Sequence, residues 1–383
     1  MRLRLLPFCV VLLTALVAPA GASSQAPVDA QAISPLAPNP LAGSKWFVDH
    51  ENHAWVQWKA AVRQGRNGKA QVNRVIAEQP KFRWFGRSTR PNPVQKIGDY
   101  IARAESQGEI PLMATLRHHG TKCGPTYTGG GAAEDERFRA WYRMLASAIG
   151  NHRVVIGYEP DSLGTIDCLK KSRRKARVAL LRYGIDVLSK LPNATVYIEA
   201  GASDWESARR TASLLRRIGI AKVRGFMLNA THYDWTASNI RYGRDVSRRT
   251  GGKHFIINTS GNGRGPVHYQ RWTNSRHTGW QRVNLWCNAK KRGLGLLPST
   301  LTHDPLVDAY MWVNRPGVSS GTCNGGVKKT NVGAWFQERA NMWVTYRTNW
   351  LRAPKGTRHG LHSKPSIRAI AGVPVRGPIK RGY

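Results

Sequence analysis

Acidic residues are scarce in this chain: 22 Asp and Glu stand against 59 Lys and Arg in 383 residues, a formal net charge of +37. A surface so short of carboxylates binds polyanions without specificity, whether nucleic acid, anionic cell-wall polymer or acidic polysaccharide. Nucleic-acid-binding motifs are missing as well, so no specific nucleic-acid recognition is expected. Nor is there a long apolar run. Residues 8–18 form an apolar stretch too short to span a bilayer, and no later one is long enough, so no transmembrane segment is expected. With Arg2 and Arg4 before that stretch and Ala20-Gly21-Ala22 after it, residues 1–22 read as a secretory signal and the mature protein as extracellular. C-x-x-C and H-x-x-x-H spacings are absent, which argues against a zinc site; no metal and no cofactor are expected.

Of five cysteines, Cys9 leaves with the signal, and Cys123, Cys168, Cys287 and Cys323 remain. An even number suits an oxidising compartment, and spacing alone leaves every pairing open. The rest of the composition, 41% hydrophobic with no evident internal repeat, fits one large α/β domain and a monomer. Residues 23–40, rich in Ala, Pro and Ser, read as a flexible lead-in, 41–352 as the body, and 353–383 as a tail. That tail carries seven Lys or Arg, no acid and several Gly and Pro, so it reads as mostly disordered.

Within the body, short β-branched or apolar runs predict strands at 82–85, 111–116, 154–158, 195–199, 225–228, 254–258 and 306–313. Between them lie helical patterns at 135–149, 170–191, 205–218 and 238–250. Phe138, Trp141, Leu145 and Ile149 share one face of the first, which stops at Gly150. Strand followed by helix, repeated about seven times, predicts a parallel α/β barrel. Residues 264–305 show no clear periodicity; their Trp272, Trp280 and Trp286 suit flat sugar faces or pack the segment onto the body.

The segment 154–161 stands out. Its apolar strand ends at Glu159-Pro160-Asp161, where proline stops the ladder and leaves Asp161 on a stiff turn at the carboxyl end. Chemistry in α/β folds is done at that end. A carboxyl group on a rigid, mostly apolar support is a candidate general acid; the plainer alternative is a cap for the following helix.

The motifs at 156–164 (Ile-Gly-Tyr-Glu-Pro-Asp-Ser-Leu-Gly), 225–229, 258–266, 286–288 and 306–317 occur in this order and spacing. Together they resemble glycoside hydrolase family 6, the secreted cellulases and cellobiohydrolases, from about residue 39 to 351. The resemblance implies a distorted seven-stranded α/β barrel and inverting hydrolysis of β-1,4-glucosidic bonds, with Asp161 as proton donor. It implies polysaccharide as partner, Trp205 and Trp286 as stacking platforms, and Asn229 as a polar contact. It also implies the disulfides Cys123–Cys168 and Cys287–Cys323, each closing a loop worth about 4 kcal/mol by chain entropy.

Departures from the family pattern concern charge. Its Arg-Asp-Cys reads Thr121-Lys122-Cys123, so Lys122 stands where an aspartate helps keep the donor protonated. Near the last strand, Lys-Arg-Pro-Gly-Glu-Ser-Asp-Gly reads Asn314-Arg315-Pro316-Gly317-Val318-Ser319-Ser320-Gly321, so Asn314 replaces a substrate-binding lysine and Ser320 the aspartate proposed as base. Asp-Ala-Gly-His has become Glu199-Ala200-Gly201-Ala202. A cation at Lys122, with His118 and His119 when charged, favours the ionised carboxylate of Asp161 and weakens it as an acid; the two histidines also read as ordinary polar loop residues. Glu199 is the next carboxylate expected to activate water or support Asp161. Two readings follow: hydrolysis of a β-1,4-glycan, or binding of polysaccharide or anionic cell-wall polymer without turnover on an inherited barrel, in either case with better tolerance of an anionic sugar.

Overall fold

The structure is a computed structural model that describes residues 38–118, 127–273, 279–284, 287–321, 332–347 and 379–380. Its framework is set by short strands that are apolar on both faces. The chain runs through α1 (His53–Arg63), α2 (Asn67–Ala77), β1 (Arg83–Gly86), α3 (Pro93–Glu105), β2 (Leu112–Leu116), α4 (Ala132–Ile149), β3 (Val154–Tyr158), α5 (Lys171–Leu188) and β4 (Ala194–Glu199). It continues through α6 (Ala208–Ile218), β5 (Gly225–Leu228), α7 (Thr236–Arg248), β6 (His254–Asn258), β7 (His268–Thr273), β8 (Gly279–Asn284), β9 (Val307–Met311), α8 (Gln337–Thr345) and β10 (Ile379–Lys380).

Seven strands form one parallel sheet in the order β1-β2-β3-β4-β5-β6-β9. Every residue of β3, β5, β6 and β9 is buried, which is why these strands read as apolar runs rather than alternating ones. Helices α3 to α7 fill the crossovers from β1 to β6. The edge strands β1 and β9 are not paired, yet two hydrogen bonds draw their ends together: Phe82 N–H to the Trp312 carbonyl at 3.0 Å and Trp84 Nε1 to the Val313 carbonyl at 2.8 Å. The result is the distorted α/β barrel expected.

Side chains on the two faces of the sheet build separate cores. Phe82, Leu112, Ala114, Val155, Tyr197, Met227, Ile256 and Met311 fill the inside. Phe85, Met113, Ile156, Ile198, Phe226 and Ile257 point outward against Tyr100, Tyr142, Leu181, Leu215 and Val246 of the helices. Alternation along each strand therefore separates a barrel interior from a helix layer.

Some expectations need correction. The helix predicted from residue 205 begins at Ala208, because Ser207 caps it by accepting from Arg210 N–H at 3.3 Å. The segment 264–305, expected to be irregular, contains the antiparallel pair β7–β8 between β6 and β9. Two residues of the tail, Ile379 and Lys380, pair with Arg271 and Gln270 of β7. The signal segment, the remainder of the tail and the lead-in before residue 38 lie outside the described residues. Helices α1, α2, α3 and α8 were not among the expected ones. Of these, α1, α2 and α8 share an apolar cluster with Tyr233, Trp312 and Trp343 at the carboxyl end of the sheet.

Candidate active site

Asp161 follows β3 by three residues and is held there by its neighbours. Glu159 and Asp161 both adopt left-handed backbone, with φ of 52° and 68°, on either side of Pro160. Non-glycine residues in that region are strained, typically by about 1–3 kcal/mol each, and persist only where surrounding contacts hold them.

The Glu159 side chain supplies the first restraint. It is fully buried and accepts from Arg117 N–H at 2.7 Å, His118 N–H at 2.9 Å and the Tyr142 hydroxyl, with His118 Nδ1 at 2.6 Å. Burial alone would push its carboxyl up, but the bonds from His118 and Tyr142 reverse this and hold it below the ordinary range. Glu159 is thus a clamp between the ends of β2 and β3. His118, expected to act on Asp161, instead partners Glu159.

Glu199, at the end of β4, supplies the second restraint. Its Oε2 accepts from Asp161 N–H at 3.2 Å and its Oε1 from Gly201 N–H at 2.6 Å. It is completely buried, and that burial, followed by the nearby Asp161 charge, raises its carboxyl well above the usual range. Of the two roles expected of Glu199, supporting Asp161 fits this geometry. Activating water does not, since no part of the group is open to solvent.

The Asp161 carboxylate itself is half-buried and accepts from the Thr231 hydroxyl at 2.7 Å, across the end of β5. Thr165 bonds the Asp161 backbone carbonyl instead of its side chain. The helix-cap alternative is therefore not what the structure shows.

Further along the same edge, backbone groups are stitched together by asparagines. Asn229 is fully buried, with φ 66°, and its side chain donates to the carbonyls of Asp234 and Asn258 and accepts from Asp234 N–H. Asn258 returns a bond to the Asn229 carbonyl and accepts from Val313 and Asn314 N–H. The expected sugar contact at Asn229 is corrected accordingly: its amide is consumed in joining β5 to β6. Asn314 lies at the end of β9, half-buried, with its Oδ1 on Arg315 N–H.

Trp205 also departs from expectation. It is only 3% exposed and stacks on His232, with ring centroids 4.8 Å apart and planes 16° from parallel. Gly164 packs so tightly against its six-membered ring that a Cβ there would come within 2.3 Å. Trp205 is an interior wall rather than an open platform.

Around His232 lies a cluster that sequence reasoning missed. His232 Nδ1 faces Asp204 Oδ1 at 2.9 Å, and Ser203 Oγ donates to Asp234 Oδ2. Burial opposes a charged His232, but Asp204, Asp161 and Asp234 outweigh it and raise its basicity. Burial, then the charge of Asp204, pushes Asp234 up to about 7. No sequence motif joins residues 204 and 232–234, so only the meeting of the β4 and β5 loops reveals the cluster.

At the other side, after β9, Ser320 is half-buried and its Oγ accepts from Arg339 Nη1 at 2.9 Å. Arg339 comes from α8, is 2% exposed, and also donates to Asn288 Oδ1 and to the Tyr233 hydroxyl at 2.8 Å. Lys122, Cys123, His119, Trp286 and Cys323 lie outside the described residues. Cys168 and Cys287 are buried and neither is a free thiol. Among the described residues no group of three or more His, Cys, Asp or Glu is arranged to hold a metal ion.

A parallel sheet of seven strands with a polar cluster gathered at its carboxyl edge defines the class, a distorted α/β barrel. Residues 41–347 match the family described as Glycosyl hydrolases family 6, and the chain belongs to that family. It is 34% identical over 305 residues to endoglucanase A of Cellulomonas fimi, covering 79% of this chain and 61% of that enzyme. To endoglucanase A of Thermobispora bispora it is 29% identical over 295 residues, covering 76% and again 61%. The chain thus spans less than two thirds of these relatives. Among solved structures, the endoglucanase Cel6 from Mycobacterium tuberculosis, bound to methyl-cellobiosyl-4-deoxy-4-thio-β-D-cellobioside, aligns with TM-score 0.68 and 32% identity, covering 81% of this chain and 99% of that one.

Proposed function

We propose that the protein is a secreted glycoside hydrolase acting on β-1,4-linked glycan with inversion, and that Asp161 is its proton donor. One observation carries this: Asp161 sits at the carboxyl end of β3 in a left-handed conformation that Glu159 and Glu199 both brace. In the reaction, water attacks the anomeric carbon from one face of the ring while the bond to the glycosidic oxygen breaks on the other. Asp161 delivers its proton to that leaving oxygen, so the departing sugar leaves as a neutral alcohol; the attacking water gives up a proton to solvent, and solvent returns one to Asp161. The relatives named endoglucanase support the glycan class. Trp286 and Asn314 remain the candidate substrate contacts, and Cys123–Cys168 and Cys287–Cys323 the proposed disulfides.

A second reading is favoured by Ser320 and Arg339. A hydroxyl that accepts from a guanidinium cannot take a proton from water, so the position of the family's proposed base offers none. On this reading the protein binds polysaccharide without turnover.

Release of reducing ends from neutral and acidic β-1,4-glycans separates the two. Hydrolysis predicts wild-type turnover that Asp161→Asn lowers by ~10²–10⁴ while binding persists, the size of general-acid help. Absence of wild-type turnover with retained binding supports the second reading. Turnover that Asp161→Asn leaves intact overturns the assignment of the donor.

A further inference from the structure

The guanidinium of Arg339 is buried with no carboxylate to balance it. Its partners are neutral: Asn288 Oδ1, Ser320 Oγ, the Tyr233 hydroxyl and the face of Trp343, whose centroid lies 4.6 Å away. Its Nε is buried without a hydrogen-bond partner. Among the described residues Arg339 takes part in no ion pair, and outside them the only Asp or Glu in the chain is Asp29. The neutral hydroxyl, amide and indole groups around it therefore stand where an ion pair would otherwise form.

Ser320 brings that charge to the chain beyond β9, at the carboxyl end of the sheet. Its Oγ accepts from Arg339 Nη1 at a half-buried position, and a hydroxyl that accepts keeps its own hydrogen for a further acceptor. Two more arginines stand near the same half of the edge: Arg264, exposed beyond β6, and Arg315, over the Trp84 ring at 5.7 Å. The carboxylates Glu159, Asp161, Glu199, Asp204 and Asp234 all belong to the other half, beyond β3, β4 and β5.

We infer that Ser320, backed by Arg339, is an anion-recognition position that receives the carboxylate of a uronic acid residue in the glycan. This rests on the glycan-directed reading above and names its substrate class. Oxidation at C6 turns a glucosyl unit into an anion without changing ring shape or linkage. The modification therefore adds the counter-ion that Arg339 lacks while keeping the polymer suited to a β-1,4-directed cleft. Discrimination comes from both signs of effect. A uronate at Ser320 accepts a hydrogen bond that the guanidinium polarises, whereas a neutral hydroxymethyl leaves the cation uncompensated.

Calorimetric titration at physiological salt with a β-1,4-linked oligoglucuronate and a cello-oligosaccharide of equal length provides the test. Repeating the titrations at rising salt separates the screened contribution of the non-specific basic surface. The wild type is expected to prefer the acidic oligomer by about tenfold or more, about 1.4 kcal/mol. Ser320→Ala should narrow that preference, and Ser320→Asp, which supplies the missing carboxylate from the protein, should abolish or reverse it. Both changes are at a half-buried loop position, so folding is readily confirmed by thermal melting. Equal affinity of the wild type for the two oligomers overturns the inference, as does an unaltered preference in Ser320→Asp. Failure of both oligomers to bind is a different result: it removes the glycan-directed reading itself.

Discussion

Two buried arginines lie at different places in the barrel, and their surroundings are opposites. Arg224, just before β5, forms a two-point contact with Asp308 of β9, Nε to Oδ2 at 2.9 Å and Nη2 to Oδ1 at 2.8 Å. Tyr197 donates to the same carboxylate at 2.6 Å. Arg339 has hydroxyl, amide and aromatic neighbours and no acid. The first arrangement closes on itself: a charge inside the barrel is neutralised and its bonds are used up, tying β4, β5 and β9 together. The second joins α8 to Asn288, Ser320 and Tyr233 through neutral groups alone, and its charge is the one that the proposed anion-recognition position would use.

Breaking the closed pair should produce the largest effect. Asp308→Asn keeps the shape but strands Arg224 without its counter-charge, and removing one partner of a buried pair costs about 3–5 kcal/mol. Denaturant unfolding should show that loss, or the variant should fail to accumulate as folded protein. An unfolding free energy within error of the wild type would mean that the pair is not what joins these strands.

Closing the open pair should act in the other direction and more weakly. Ser320→Asp places a carboxylate against Arg339, a charge-assisted bond worth about 1.5–3 kcal/mol before the desolvation of the new acid is subtracted. A higher melting temperature is expected at neutral pH, with the gain lost as acid protonates the introduced carboxyl. Adding Lys122→Asp to Ser320→Asp places an acid at each position where the sequence resemblance implies one and, on the proposed function, should raise turnover of neutral β-1,4-glucan. A double variant that melts normally and shows no gain would argue that these two replacements are not what limits hydrolysis.

The smallest effect concerns proton linkage, which also differs between the two regions. Asp308 is held below the ordinary carboxylate range: burial opposes this, but Arg224, His254 and Tyr197 prevail. Its contribution is present above the unfolded value of about 4 and lost as pH falls. Asp234 is pushed up to about 7, so its contribution is present at acid pH and lost as pH rises toward and through 7. Asp234→Asn should flatten the fall in melting temperature between about pH 4 and pH 7 and leave the slope above that range unchanged. An unaltered slope between those values would show that Asp234 does not titrate in that window.

Much of the fold was legible because its strands are simple. Val154, Val155 and Ile156 are apolar on both faces of a buried sheet, so a short β-branched run identifies them without knowledge of partners. The β7–β8 pair was missed because strands with polar and charged residues, such as Gln270, Arg271 and Arg282, carry no apolar signal. Helix α1 was missed for a related reason: its Val56 and Val62 are exposed, and a cap at Asn52 rather than an apolar stripe marks its start.

The site divides in the same way. Sequence alone determined that Asp161 follows an apolar strand on a proline-stiffened turn, and that Glu159 and Asp161 flank that proline. Those are properties of neighbours along the chain. Tertiary structure decided what neighbours in space do. It turned Glu159 into a clamp, buried Glu199 beneath Asp161, placed His232 over Trp205, and set a cation from α8 behind Ser320. Burial and partnership decide whether a carboxyl is charged, whether an indole is open and whether a serine accepts or donates. Both are set by residues far apart in the chain, 106 positions in the case of Tyr233 and Arg339.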